Sequence, residues 1–204
     1  IHCYWLVLFF MMKLFYPHFI GVYDNALSSG QCKEIIKFLE SQELGRGTFA
    51  HGLLDLQSKD DWELPIRLSD GSVVSNYILD GIREYTLKYC HTYPEVEDYQ
   101  HDHYTLTWDV DDDYKLQKYD PGGGYFISHS EHGGGDYSSR MLVWMIYLNT
   151  VNDRGGTYFG AYDKTISAQE GRLVIWPAHW THQHKGIVSK SETKYIATGW
   201  YTFR

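Results

Sequence analysis

Three residues within four positions, His129, Glu131 and His132, sit in the stretch GGGYFISHSEHGGG between two runs of three glycines. An imidazole and a carboxylate at i and i+2 project to one side of a strand or of its frayed end. His129 and Glu131 can therefore grip one ion while Ser130 faces away. A third ligand from a distant segment completes two histidines and one carboxylate on one face of an octahedron. The opposite face then stays open for a co-substrate and dioxygen, as in non-haem Fe(II) sites. Zinc accepts the same three ligands, so the triad alone does not fix the metal. His-x-acid is frequent by chance, and a polar hairpin loop that contains histidines is the plain alternative. Glycine's freedom lets strand ends and loops pass close to a ligand, which is one use for the flanking runs.

The distal histidine has three candidates in WPAHWTHQHKG: His179, His182 and His184. His182 and His184 share strand parity, so periodicity cannot separate them.

These residues need elements to position them. LSSGQCKEIIKFLESQEL, Leu27 to Leu44, predicts an amphipathic helix, with Cys32, Ile35, Ile36 and Leu39 at i, i+3, i+4, i+7 and Ser28 or Ser29 as the cap. SNYILDGIREYTLKYC, Ser75 to Cys90, predicts a second, with Ile78, Ile82, Tyr85 and Tyr89 on one face and Gly81 weakening the pattern. Between them, Gly45 to Asp70 is polar and reads as irregular, with one or two short strands.

From Tyr104 the texture changes to short strands: Tyr114 to Tyr119, Met141 to Leu148, Arg172 to Trp176 and Lys194 to Phe203. Turn chemistry separates them, at Pro121-Gly122, Gly155-Gly156, Glu170-Gly171 and Pro177. MLVWMIYL is apolar on both faces, as expected of a strand in the middle of a covered sheet. Helices first and then a β core predict a sandwich or barrel. No repeat or low-complexity linker divides the chain, so a single domain is the simplest count.

The chain has 204 residues, with 43% hydrophobic and 22% charged, the balance of a globular domain with a sizeable core. Its 17% aromatic share, with 18 Tyr and 7 Trp, suits half-buried strands. A net charge of −8 argues against a general nucleic-acid-binding surface, which needs a basic field, but leaves room for a local basic groove. The acidic run at Asp109 to Asp113 reads as a solvated turn, with attraction of a basic peptide as the alternative. Cys3, Cys32 and Cys90 include no CxxC pair and support neither a zinc ribbon nor a disulfide framework. That fits a reducing compartment, and a cytoplasmic location is the expectation. Residues 1–15 form an apolar extension whose run, Cys3 to Met12, falls short of the ~20 residues needed to span a bilayer. It lacks the flanks of a signal peptide. It reads as upstream sequence ahead of a domain over 16–204, so no membrane partner is expected unless that segment is native.

LQKYDPGGGY, HSE, RMLVWMIYLN, GGTYF, GRLVIWPAHWTHQHKG and KYIATGW, in this order over residues 114 to 202, resemble the prolyl 4-hydroxylase-like branch of the 2-oxoglutarate- and Fe(II)-dependent dioxygenases. The resemblance implies an α+β, mainly β fold, a double-stranded β-helix (jelly roll) core at about 104–204 with supporting N-terminal helices. It implies metal ligands His129, Glu131 and His184. His184 is selected because the family's ligand histidine lies ten residues before the basic residue that binds the far carboxylate of 2-oxoglutarate, the spacing of His184 to Lys194. Tyr119 and Tyr147 match tyrosines of that pocket, Thr198 and Trp200 match its wall, and Tyr125 matches a position near the metal. Aromatic core packing accounts equally well for each tyrosine.

The family's usual acid is Asp, and Glu131 is one methylene longer; Asp136 is a fallback at the wrong spacing. His132 is expected in the loop and His179 at the rim. The implied cofactors are Fe(II), 2-oxoglutarate and O2, with ascorbate as reductant, and the implied reaction is hydroxylation of an unactivated C–H bond in a peptide or small molecule, peptidyl proline included. The alternative is a non-catalytic jelly-roll binding module with zinc.

Overall fold

The computed structural model describes residues 18–48, 52–96 and 107–204. The expected N-terminal extension at 1–15 lies outside these residues. Among them, no helix is long and apolar enough to cross a membrane.

Two helices precede most of the β structure. Helix α1, Ser29–Glu40, starts where the sequence placed it, with Ser28 as N-cap. Its hydroxyl accepts from the Gln31 amide while the Gln31 side chain accepts from the Ser28 amide, a reciprocal capping box. The helix stops short of the predicted Leu44 because the Ser41 hydroxyl and amide both turn back to the Phe38 carbonyl. Helix α2, Val73–Thr92, is longer than predicted at both ends and is capped by Ser72. Both bury the expected stripe: Cys32, Ile35 and Leu39 from α1, and Ile78, Ile82 and Tyr89 from α2.

The strands are β1 (Gly21–Tyr23), β2 (Gly45–Arg46), β3 (Lys59–Asp60), β4 (Trp62–Arg67), β5 (Trp108–Tyr119), β6 (Gly124–Tyr125), β7 (Arg140–Tyr147), β8 (Thr157–Phe159), β9 (Lys164–Ile166), β10 (Leu173–Pro177), β11 (His184–Gly186) and β12 (Lys194–Phe203). They form an antiparallel seven-stranded sheet in the order β1-β10-β7-β12-β5-β4-β2, with a three-stranded sheet β11-β8-β9 and the pair β3-β6. One face of the large sheet carries the helices, through Leu142, Trp144, Ile146, Leu116 and Ala197. The other meets Phe159 and Ile166 of the small sheet through Val143, Met145, Tyr147 and Ile196. Strand β7 is therefore covered on both faces, which is why its sequence shows no alternation.

Two expectations are corrected. The segment Gly45 to Asp70 holds three strands and a 3-10 turn, not one or two strands. The acidic run is not a turn: it is the first half of β5, which begins six residues before the predicted Tyr114. Successive aspartates depress strand propensity. Here the pairing of Trp108, Asp109 and Val110 with the end of β12 overrides it. Asp112 accepts from the Ser69 amide and hydroxyl at 2.7 and 2.8 Å, and Asp113 lies 3.3 Å from Arg67.

Candidate metal centre and anion pocket

The inner face of the large sheet is the floor of a cavity of about 330 Å³. Alternation decides which side chains reach it: Lys194, Ile196, Thr198 and Trp200 from β12, and Lys115, Gln117 and Tyr119 from β5. The register pairs Lys194 with Tyr119, Ile196 with Gln117 and Thr198 with Lys115, so the two rows lie side by side.

Over this floor hangs the segment after β6. It is not a regular strand. It is pinned by one antiparallel bridge between His129 and His184, whose amides and carbonyls exchange hydrogen bonds at 3.0 and 2.9 Å. The amides of Glu131 and His132 both donate to the Ala178 carbonyl. This pairing turns His129, Glu131 and His184 towards one another, with one ligand atom from each lying within 4.8 Å of the others. Glu131 Oε1 is 3.3 Å from His129 Nε2 and 3.6 Å from His184 Nε2.

Both imidazoles are oriented in the same way. The Nδ1 atom of His129 lies 3.1 Å from the Ile127 carbonyl, and that of His184 lies 3.0 Å from the His182 carbonyl. Each Nδ1 therefore donates to its carbonyl, which leaves each Nε2 facing the shared centre. Burial pushes the His184 imidazole down, towards its neutral form. Burial also works against the Glu131 carboxylate, and the two imidazoles outweigh it, holding that carboxyl well below its usual range. Neutral imidazoles and an ionised acid are the ligand forms for a divalent cation.

The second oxygen of Glu131 is held separately. Oε2 accepts from Trp200 Nε1 at 3.1 Å and from Arg140 Nη1 at 3.3 Å. Trp200, expected in the wall of the pocket, thus lines the cavity and grips the acid.

At the other end of the cavity Lys194 is buried, its ammonium 4.3 Å from the centre of the Tyr119 ring. It makes no ion pair among the described residues, and burial draws it down to about 8, with Asp61 acting in the opposite direction. Thr198 Oγ1 is also buried without a hydrogen-bond partner among the described residues. A solitary ammonium and a spare hydroxyl, both facing a polar cavity, fit an anion. Tyr147 does not line the cavity: its hydroxyl is 2.7 Å from that of Thr157, which does. Tyr125 stacks on His129 at 3.6 Å between ring centres.

The remaining histidines separate. His182 ends a 3-10 turn, Trp180–His182, and its Nε2 lies 2.9 Å from the His18 carbonyl, away from the cluster. His179 is half-buried and packs edge-on against His132, which lines the cavity. Asp136 is exposed and outside the cluster. The glycine runs differ as well. A Cβ at Gly123 would lie 2.7 Å from the Asp60 carbonyl, so close approach is required there. The second run lies in open space beyond Gly133, and only Gly135, at φ +63, needs glycine's left-handed backbone.

Sequence reasoning missed a charged group beside the pocket. Lys59, Asp61 and Glu63 lie at alternate positions, and all are buried. Glu63 pairs with Lys59 and, at 2.8 Å, with Lys115, while Gln117 donates to Asp61 at 2.7 Å and to Glu63 at 3.1 Å. Burial acts to raise the Glu63 carboxyl, but the two lysines overcome it and the net direction is down; for Asp61 burial prevails and the direction is up. The signal was the parity of SKDDWE, legible only once that stretch is known to be a strand.

Fold and site together describe a class: a β scaffold with two histidines and one carboxylate that could hold a metal ion, next to a polar cavity lined by a buried lysine. Residues 114–202 match the family model described as the 2OG-Fe(II) oxygenase superfamily. No curated protein matches the chain by sequence. Among solved structures, the collagen prolyl hydroxylase of Paramecium Bursaria Chlorella virus-1, in its 2OG complex, is similar with a TM-score of 0.65 and 18% identity over 90% of this chain and 95% of that one. A Pseudomonas putida prolyl-4-hydroxylase gives 0.68 and 16% over 92% and 94%. The Trichoplax adhaerens prolyl hydroxylase, in complex with a hypoxia inducible factor peptide fragment, gives 0.68 and 14% over 91% and 84%. At these identities the likeness is one of fold.

Proposed function

We propose that the chain is an Fe(II)- and 2-oxoglutarate-dependent dioxygenase that hydroxylates an unactivated C–H bond, working from a single domain over 16–204 with a double-stranded β-helix core. The observation that carries this reading is the unpaired, buried Lys194 ammonium in the same cavity as the His129, Glu131 and His184 cluster. A zinc-binding module would need the three ligands but has no use for a solitary buried cation.

The donor set fits iron, and the roles follow from it. His129, Glu131 and His184 hold the metal, which when bound supplies the activation of dioxygen that couples decarboxylation of 2-oxoglutarate to hydroxylation. Lys194 fixes the far carboxylate of the co-substrate, with Thr198 Oγ1 as a donor and Tyr119 as the surface under the ammonium. Trp176 and Met145 give that pocket apolar walls and exclude water. Trp200, Arg140, Tyr125 and Tyr137 surround the metal side, where the substrate C–H bond is presented. Peptidyl proline is the first substrate to test, since solved structures similar to this one include prolyl hydroxylases.

The test is succinate production from 2-oxoglutarate with Fe(II) and ascorbate, screened against prolyl peptides and a metabolite panel. Substrate-dependent succinate supports the reading. Stoichiometric zinc in the purified protein, with no succinate under any condition, would overturn it in favour of the binding module.

A further inference from the structure

We infer that Trp200 and Arg140 are positioning residues that hold Glu131 to a single metal-facing oxygen. This deepens the metal-site reading above and rests on it. A carboxylate has two equivalent oxygens and can turn one or both onto a cation. Glutamate, with one more rotatable bond than aspartate, does so more freely. In a three-residue donor set, a two-oxygen grip fills a position that the co-substrate or dioxygen needs.

In this chain the two oxygens are not equivalent. Oε1 faces Nε2 of both histidines, at 3.3 and 3.6 Å. Oε2 is turned to the sheet, where Trp200 Nε1 and Arg140 Nη1 donate to it at 3.1 and 3.3 Å. The same Nη1 donates to the Glu131 backbone carbonyl at 3.2 Å, so one guanidinium holds both ends of the residue. That guanidinium lies flat enough on Trp200 to sit 3.6 Å from the ring centre, which fixes the two donors relative to each other.

The donors stand on rigid elements. Arg140 opens β7 and Trp200 lies in β12, and these strands are hydrogen-bonded neighbours. The carboxylate itself hangs from an irregular segment. Hydrogen bonds to an ionised acid are about twice as strong as neutral ones, and the Glu131 side chain is only 15% exposed, so water competes little. The longer acid thereby acquires a purpose. An aspartate at this position would withdraw the carboxylate by about one C–C bond, ~1.5 Å, and lose the sheet donors.

The experiment uses the whole chain loaded with Mn(II), without 2-oxoglutarate, and reads metal-bound water by water-proton relaxation. Three protein oxygens and nitrogens leave three waters on a six-coordinate ion. Release of Oε2 in Trp200→Phe, and independently in Arg140→Met, lets it displace one, so relaxivity per bound Mn(II) falls by about a third. Affinity of the Mn(II)-loaded protein for 2-oxoglutarate falls about tenfold or more. Circular dichroism identifies a variant that fails to fold, and the other then carries the test. In Glu131→Asp the brace is already out of reach, so adding Trp200→Phe changes relaxivity no further. Unchanged relaxivity in both folded single variants overturns the inference, as does loss of Mn(II) uptake in both, which would make the brace purely structural. A wild-type protein that takes up no Mn(II) sinks the metal-site reading itself.

Discussion

His129 and His184 lie far apart in sequence, yet their backbones exchange two hydrogen bonds, amide to carbonyl in each direction, at 3.0 and 2.9 Å. Each ring is then tied by Nδ1 to the carbonyl two residues before it. The bridge sets the spacing of the two ligands and the carbonyls set their tautomers.

The first prediction separates the candidate histidines. His184→Ala should abolish Mn(II) or Fe(II) binding and with it the substrate-independent decarboxylation of 2-oxoglutarate. His182→Ala removes a buried ring that contacts the His18 carbonyl and Tyr162. It should lower the melting temperature while keeping one metal per chain. Metal stoichiometry by elemental analysis decides, and a His184→Ala protein with wild-type metal would refute the assignment.

A second prediction concerns pH. The Lys194 ammonium is drawn from 10.5 to about 8 in the free protein. Above that pH the free site has lost the proton that a bound carboxylate requires. Affinity for 2-oxoglutarate should therefore fall about tenfold per pH unit above 8, with proton uptake on binding detectable by calorimetry in two buffers. The stability sign is that of any group whose pKa is lowered on folding. Between about 8 and 10.5 the unfolded chain binds more protons than the folded one, so unliganded stability should rise with pH there. A flat affinity profile would remove Lys194 from the role of counter-ion.

The buried charges beside the pocket give a third. Glu63→Gln leaves Lys59 and Lys115 without their shared partner, and breaking a buried pair in this way costs about 3–5 kcal/mol. The urea midpoint should drop accordingly. Removing both members, in Lys59→Met with Glu63→Leu, should recover part of the loss, because the buried ammonium leaves with its carboxylate, and Asp61, 3.4 Å from Lys59 and already pushed up by burial, then stays protonated. If the double variant is as unstable as the sum of the singles, the account fails.

Tyr147 provides a fourth. Tyr147→Phe should cost about 1 kcal/mol, the net worth of its bond to Thr157, and leave the 2-oxoglutarate Kd within about twofold. Isothermal titration of that variant beside wild type measures it. A large loss of affinity would place the Tyr147 hydroxyl in the pocket after all.

Local pattern alone carried several of these features. The apolar spacing of Cys32, Ile35 and Leu39 marked α1, and Ser28, one of two candidate caps, marked its start. Lys194 to Phe203 was legible residue for residue as β12, because alternation and β-propensity agree there. His-x-Glu announced a pair of donors facing one way, and the order of motifs over 114 to 202 carried a resemblance that the family model also matches. Local pattern also had limits. The aspartates ahead of Tyr114 hid half of β5, since strand pairing with β12, and not propensity, holds them extended. Parity could not choose between His182 and His184, and the fold shows why: a 3-10 turn ends at His182, so no strand runs through both.

The charged group around Glu63 and the grip of Trp200 and Arg140 on Glu131 are products of sheet register. They join side chains from strands that are distant in the chain. Periodicity is a property of a few neighbouring residues and fixes which way each side chain faces. Which faces then meet is decided by the hydrogen-bonded pairing of whole strands, and only the folded chain contains that information.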